Sequence, residues 1–396
     1  MSGRTRLIIL GIALLGLGVG YEFVNQWVYH EVTPPLLAPM DPVDGVGSLS
    51  ATACGGCHVT IAEEWRGTGH GRATTDPLYV ADLEANGAPY FCDHCHAPLV
   101  EQRTETTSGL WAVWPTLTPR TAPNPRHVEG LRHEGVTCVA CHQRDGAIVG
   151  TFETALAPHP VTVNKALGTE ATCRPCHSMD LQALGTLDRP LMDTFAEWET
   201  YRAAGGDKNC VDCHMPAVAD RPAARGAPPR PAHSHALRGP YEIDFVREGA
   251  QVEDLALSAD AATGAQATLT LINGTGHRMP TAEPHRALHV VLEAVDGTGA
   301  LLAEDRQVLQ RVVDLHTLVE VPGSDTSLLP RERRPMTLEI SGPLPRQTVQ
   351  VRAVVRWILW EPEHAVAKAA GMTEDDLVMT LYERQISVQP EDGEGP

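Results

Sequence analysis

The chain runs to 396 residues, enough for two or three domains, with 10 Cys, 18 His, 35 Gly and 31 Pro but only 5% aromatic residues. Its net charge of −19 comes from 50 acids against 31 bases, of which only Lys165, Lys208 and Lys368 are lysines, and it excludes a nucleic-acid binder, which needs a basic face for phosphates. Apolar residues at 42% and charged residues at 20% exclude a disordered chain, yet so few aromatics are thin material for a large core.

At the N-terminus, Arg4 and Arg6 precede an apolar run from Leu7 to Gly20, broken at Tyr21-Glu22 and continued patchily through Phe23, Val24, Trp27 and Val28. A positive start followed by such a run exports a chain. No small-x-small cleavage site is obvious, and about 20 residues span a bilayer. Residues 1–28 are therefore expected to be a signal-anchor, an N-terminal hydrophobic helix in the membrane, with a cleaved signal as the alternative. Either way the cysteines end outside the cytoplasm. A linker over 29–50 follows, marked by Pro34-Pro35 and Pro42.

All ten cysteines then fall into five identical strings: Cys54-Gly-Gly-Cys57-His58, Cys92-Asp-His-Cys95-His96, Cys138-Val-Ala-Cys141-His142, Cys173-Arg-Pro-Cys176-His177 and Cys210-Val-Asp-Cys213-His214. C-x-x-C-H is the attachment string of c-type haem: both thiolates bond to the macrocycle, and the adjacent histidine becomes the proximal iron ligand. Zinc knuckles do not require a histidine after every second cysteine, and a disulfide framework would not choose one spacing five times. Five covalently attached haem c groups are expected, with His58, His96, His142, His177 and His214 proximal. The macrocycles would replace the missing aromatic core over residues 51–240, leaving short helices and loops. The best helix there is Leu191–Ala204, with Phe195, Trp198 and Tyr201 at helical spacing before Gly205-Gly206; Ile61 and Trp65 form a similar pair.

Residues 220–240, rich in Pro, Arg and Ala, suggest a wrapping arm or linker. Beyond them the period becomes two, in Ala267–Ile272, Leu288–Glu293, Met336–Ile340, Val349–Trp357 and Gln385–Val388, with a turn at Asp296–Gly299. The expected fold is α + β and multidomain: a haem-packed domain over 51–240, then a C-terminal antiparallel β-sandwich over 241–396 with short helical insertions at 365–370 and 373–376. Residues 50–240 hold 16 bases and 21 acids, and residues 241–396 hold 13 and 25, so the acidic excess lies mostly in the β-domain. A solvated acidic surface explains it more simply than a docking face.

A second axial histidine closes a haem iron and favours electron transfer. His94 lies inside its own attachment loop, and His30, His289, His316 and His364 have no context beyond a structural or surface role. The candidate distal ligands are His70 in Trp-Arg-Gly-Thr-Gly-His, His133 shortly before Cys138, His159 between prolines, His235 in His-Ser-His, and His277 at the end of the first good strand, with His285 nearby. His127 stands in reserve for His133, and His233 for His235.

Several strings resemble those of multihaem c-type cytochromes related to the tetrahaem cytochrome that serves hydroxylamine oxidoreductase, a superfamily that includes the pentahaem nitrite reductases. They are Glu64-Trp65…His70, His133-Glu-Gly-Val-Thr-Cys138-Val-Ala-Cys141-His142, Glu197-Trp198…Asn209-Cys210-Val-Asp-Cys213-His214-Met215-Pro216, His233-Ser-His235-Ala-Leu-Arg-Gly239 and Asn273-Gly-Thr-Gly-His277-Arg-Met-Pro-Thr281. The resemblance covers roughly residues 54–290. It implies that His70 ligates another motif's haem, and it favours His133, His159, His235 and His277 likewise. All five motifs here end in histidine, so the lysine-ligated catalytic haem of those nitrite reductases is not implied, nor is the tyrosine cross-link of the hydroxylamine oxidoreductases.

The expected function is electron transfer rather than catalysis. Electrons would come from a membrane quinol-oxidising complex or another cytochrome and go to a periplasmic or outer-membrane acceptor. The protein would sit on the periplasmic side of the cytoplasmic membrane, held there by the N-terminal helix, or be exported in soluble form if the signal is cleaved. Two alternatives stand beside this: a haem enzyme with one open, five-coordinate iron acting on a small nitrogen or sulfur compound, and a surface-displayed or polymerising extracellular conduit.

Overall fold

The structure is a computed structural model that describes residues 16, 18–26, 37–87, 91–113, 116–182, 185–260, 262–344 and 349–388. The chain divides into two compact units: Met1–Asp76, Ala88–Cys176 and Arg221–Arg230 form the first, and Pro77–Gly87, His177–Asp220 and Pro231–Pro396 the second. The fold mixes short helices with many small β-sheets. Residues 1–15, 17 and 27–28 of the expected anchor lie outside the described residues, and no helix among the described residues is long and apolar enough to cross a membrane.

In the first unit, helices of four to eight residues (Ala51–Gly55, Val59–Arg66, Asp93–His96, Cys138–His142) carry or flank the first three motifs. A helical turn suits the string, because residues three and four apart share a face, so both thiols and the histidine project together. Ser50 caps the first helix, its Oγ accepting from Thr52 N at 3.0 Å. The apolar cluster here is small: Leu49, Leu99, Leu131, Val139 and Ala140. Such a core cannot by itself order a unit of this size.

The first unit also holds strands, where only short helices and loops were expected: a hairpin of Glu105–Val113 with Thr116–Pro123, and a small sheet of Gln143–Arg144, Ala147–Gly150 and Val161–Val163. The Pro-rich arm is likewise a hairpin, Ala217–Pro222 with Pro229–His233. Its proline content hid it, since proline removes ladder donors and survives only in two-stranded ribbons or at edges.

The second unit contains, among the described residues, a short strand pair, Val313–Asp314 with Val319–Glu320, and two larger antiparallel sheets. One has the strand order Leu301–Leu309, Ala287–Val295, Val349–Ile358, Val378–Val388; the other runs Arg333–Ser341, Gly264–Asn273, Ala250–Asp260. Val290 pairs with Val355 and Leu269 with Met336. Alternate residues turn inward, so Leu269, Leu271, Leu288, Leu292, Met336, Val351 and Trp357 join one apolar core. The turn at 296–299 closes through Asp296, whose Oδ1 accepts from Thr298 N and Ala300 N. The helical insertions are Ala365–Ala369, and Glu374–Leu377 capped by Thr373. The helix expected over Leu191–Ala204 is Thr194–Ala203.

Asp82, on the helix Pro77–Ala85, is pushed up to about 6 by burial and by the nearby Glu283 carboxylate, against the pull of His285 and an Asn86 hydrogen bond. A raised carboxyl holds its proton in the folded state after the unfolded chain has lost it, so stability falls as pH rises from about 4 to about 6 and stays lower above that. Asp82→Asn is therefore expected to raise the melting temperature at pH 7.5 and leave it unchanged at pH 4; equal shifts at both values would exclude the titration.

Candidate haem-binding sites

None of the ten cysteines is in a disulfide, and all are at least partly accessible. Thiols of different motifs lie side by side. Cys138 donates to Cys54, which lowers the Cys54 pKa and raises its own; Cys95 and Cys176 repeat the arrangement with Cys95 raised and Cys176 lowered. The Cys95 Sγ also approaches the Cys176 carbonyl at 3.8 Å. In the first unit, then, the first motif neighbours the third, and the cysteines of the second neighbour those of the fourth.

Four of the five motif histidines share one feature. The Nδ1 of His58 bonds the Ala223 carbonyl at 2.5 Å, that of His96 the Ala73 carbonyl at 2.8 Å, that of His142 the Val149 carbonyl at 3.0 Å, and that of His214 the Arg238 carbonyl at 2.6 Å. A carbonyl accepts only from N–H, so each ring carries its proton on Nδ1 and presents the Nε2 lone pair. Metal-ligating histidines are oriented in this way. Burial lowers the pKa of His142 and His214, and of His277, which favours the neutral, ligating form.

The arm hairpin supplies the His58 carbonyl. Its tip belongs to the first unit, where Arg225 N donates to Cys57 O at 2.8 Å and Arg221 makes a two-pronged ion pair with Glu64 on the helix Val59–Arg66.

Two candidate distal histidines lie close to motif histidines. His159 lies opposite His58 with ring centroids 6.4 Å apart and planes at 43°, and His277 lies opposite His214, also at 6.4 Å, with planes at 26°. A metal–imidazole bond of about 2.0–2.1 Å, with roughly 1.1 Å from ring nitrogen to ring centre, puts two imidazoles on opposite sides of one metal about 6.3 Å apart. The centroid separation of each pair matches that of two rings on one iron. The remaining candidates are placed by other contacts. His70 follows the helix of Trp65, whose Nε1 donates to Val136 O at 2.9 Å, and the His70 carbonyl accepts from Val136 N, also at 2.9 Å, just ahead of the third motif. His133 is exposed on the turn Leu131–Glu134. The Nδ1 of His235 faces the His233 carbonyl at 3.1 Å, and that of His233 the Met215 carbonyl at 2.7 Å.

Other histidines do structural work. His364 caps Ala365–Ala369 by accepting from Val366 N, and His285 stacks on Trp360 at 3.7 Å while its Nδ1 pairs with Glu283 at 2.7 Å. The carbonyls of Ala73, Val149, Ala223 and Arg238 escaped sequence reasoning, because a backbone acceptor has no side-chain signature. Thiols outside any disulfide, imidazoles protonated on Nδ1, two ring separations of iron-ligand length and a small apolar core together fit covalently bound haem c.

No family model matches the chain, and no curated protein matches it. A glycosyl hydrolase family 2 member from Bacteroides cellulosilyticus aligns at 13% identity over 34% of this chain and 14% of its own, with a TM-score of 0.18, too low to carry an argument. A penta-haem cytochrome c552 from Thermochromatium tepidum aligns over 86% of this chain and 98% of its own, at 20% identity and a TM-score of 0.63. The chain has the fold of that penta-haem cytochrome.

Proposed function

We propose that the chain is a multihaem c-type cytochrome that carries electrons through five covalently bound haems. The observation that carries this reading is the pair of opposed imidazoles at 6.4 Å, His58 with His159 and His214 with His277, each spaced for a closed, six-coordinate iron. Bound haem would supply a one-electron iron couple; the chain supplies its surroundings. The ten motif cysteines hold the groups by thioethers, and His58, His96, His142, His177 and His214 are the proximal ligands. Backbone carbonyls fix the ligand tautomers and raise ring basicity, a lever on potential. His70, His133 and His235 are proposed as distal ligands for the other three motifs.

Residues 51–240 form the haem-carrying region in this reading, and 241–396 an antiparallel β-sandwich. The donor is a quinol-oxidising membrane complex or another cytochrome, and the acceptor is periplasmic or in the outer membrane. Residues 1–28 hold the protein at the periplasmic face of the cytoplasmic membrane.

Two spectra test the reading. A haemochrome assay should give five haems per chain. The ferric protein should be low-spin throughout, and the ferrous protein should not bind carbon monoxide. A high-spin signal with ready carbon monoxide binding would replace the closed wire with an enzyme holding an open iron.

A further inference from the structure

The loop that carries His277 is clamped from one side by a single helix face. On Thr194–Ala203, Glu197 and Tyr201 stand one turn apart and both turn toward that loop. The Glu197 carboxylate, 2% exposed, accepts through Oε2 from Arg278 N at 3.0 Å and from Thr281 Oγ1 at 2.5 Å, and through Oε1 from Arg189 Nη1 at 2.9 Å. Tyr201 packs on Gly276 so closely that an added Cβ would sit 3.3 Å from its ring. Both contacts flank His277. From the other side, fully buried Asn273 donates to the His277 carbonyl at 2.7 Å and accepts from Thr275 N at 2.9 Å. The same helix leads, through Gly205-Gly206, into the fifth motif and His214, with Trp198 Nε1 bonding Lys208 O at 3.0 Å on the way.

We propose that Glu197, supported by Tyr201, is a positioning residue that sets the reach and ring plane of His277 opposite His214. This rests on reading those two histidines as one ligand pair. A buried carboxylate with three donors is a rigid anchor. It ties the loop behind the distal ring to the helix that precedes the proximal one, so the 6.4 Å separation is held through one element rather than through two independent segments.

The test compares variants of the full-length, haem-loaded protein by ferric electron paramagnetic resonance and ferrous carbon monoxide binding. His277→Ala should turn one haem high-spin; if it does not, the ligand-pair reading fails, whatever Glu197 does. Given that response, Glu197→Ala should shift the low-spin g values of that same haem and let part of it bind carbon monoxide. Glu197→Gln, which keeps an acceptor oxygen, should restore most of the original signal. Spectra of Glu197→Ala identical to the parent, even with a lower melting temperature, would overturn the proposal and leave Glu197 a purely structural residue. If Glu197→Ala does not accumulate, Thr281→Val removes only one donor to the carboxylate; a smaller shift of the same signal is expected, and no shift overturns the proposal.

Discussion

Replacing His159 by alanine should convert one low-spin haem to a high-spin one that binds about one carbon monoxide per chain in the ferrous state, because an iron with one protein ligand lost is open. The ring lies 6.4 Å from that of His58. Pro158 and Pro160 flank it, and Gly45, at φ +81°, lets the chain pass so close that a Cβ there would lie 2.1 Å from the Pro158 carbonyl oxygen. His159 is only half-buried, so its own burial contributes little, and any loss of stability reports chiefly the missing iron bond. A high-spin signal that appears together with carbon monoxide binding, at temperatures well below the melting of the variant, is the signature of a lost ligand. An unchanged spectrum would remove His159 from the iron and leave the pair geometry coincidental.

The proximal half of each site was legible in the sequence because it is local: five residues in one helical turn carry two thiols and a ring. The distal half was legible only as a set of candidates. His159 meets His58, and His277 meets His214, by folding of distant segments, and nothing in the flanking residues of either says which ring it will face. The carbonyls that fix the tautomers were invisible for a related reason, since any residue can supply one. In the β-rich part, the strongly alternating central strands such as Ala287–Val295 and Val349–Ile358 stood out. The strands Ala250–Asp260 and Leu301–Leu309 did not. Both lie at sheet edges, and their runs Gln-Val-Glu-Asp and Ala-Glu-Asp-Arg-Gln suit a face turned to water, which weakens the apolar alternation that marks a strand.

Arg311→Ala should destabilise the protein by about 3–5 kcal/mol, the usual cost of stranding a buried charge. The guanidinium is 6% exposed and its partner Glu320 only 1%. Arg311 Nη2 and Nε grip the two carboxylate oxygens at 2.8 and 3.1 Å, while Nη1 donates to Pro190 O at 2.8 Å and Leu191 O at 3.2 Å, and Nη2 also to Arg189 O at 2.8 Å. Burial alone would push the Glu320 carboxyl up; hydrogen bonds from Arg311 and from Asp188 N outweigh it and hold it below the usual range. A depressed carboxyl contributes stability above its unfolded value near 4.5 and loses it as pH falls through the folded value, so the penalty of the variant should shrink in acid. At neutral pH the loss corresponds to a melting shift of roughly 6–20 °C for a domain of this size. The double variant Arg311→Met, Glu320→Leu tests the cause. It removes the stranded carboxylate but leaves the carbonyls of Arg189, Pro190 and Leu191 without that donor and Asp188 N without its acceptor, at about 1 kcal/mol each. It should therefore recover part of the loss, not all. Full recovery would mean that the carbonyl contacts contribute nothing, and no recovery would mean that they, rather than the ion pair, hold the 188–191 segment. That segment leads into the helix of Glu197, and Arg189 bonds Glu197 directly at 2.9 Å, so the single variant should also perturb the low-spin signal assigned to His214 and His277 while sparing that of His58 and His159.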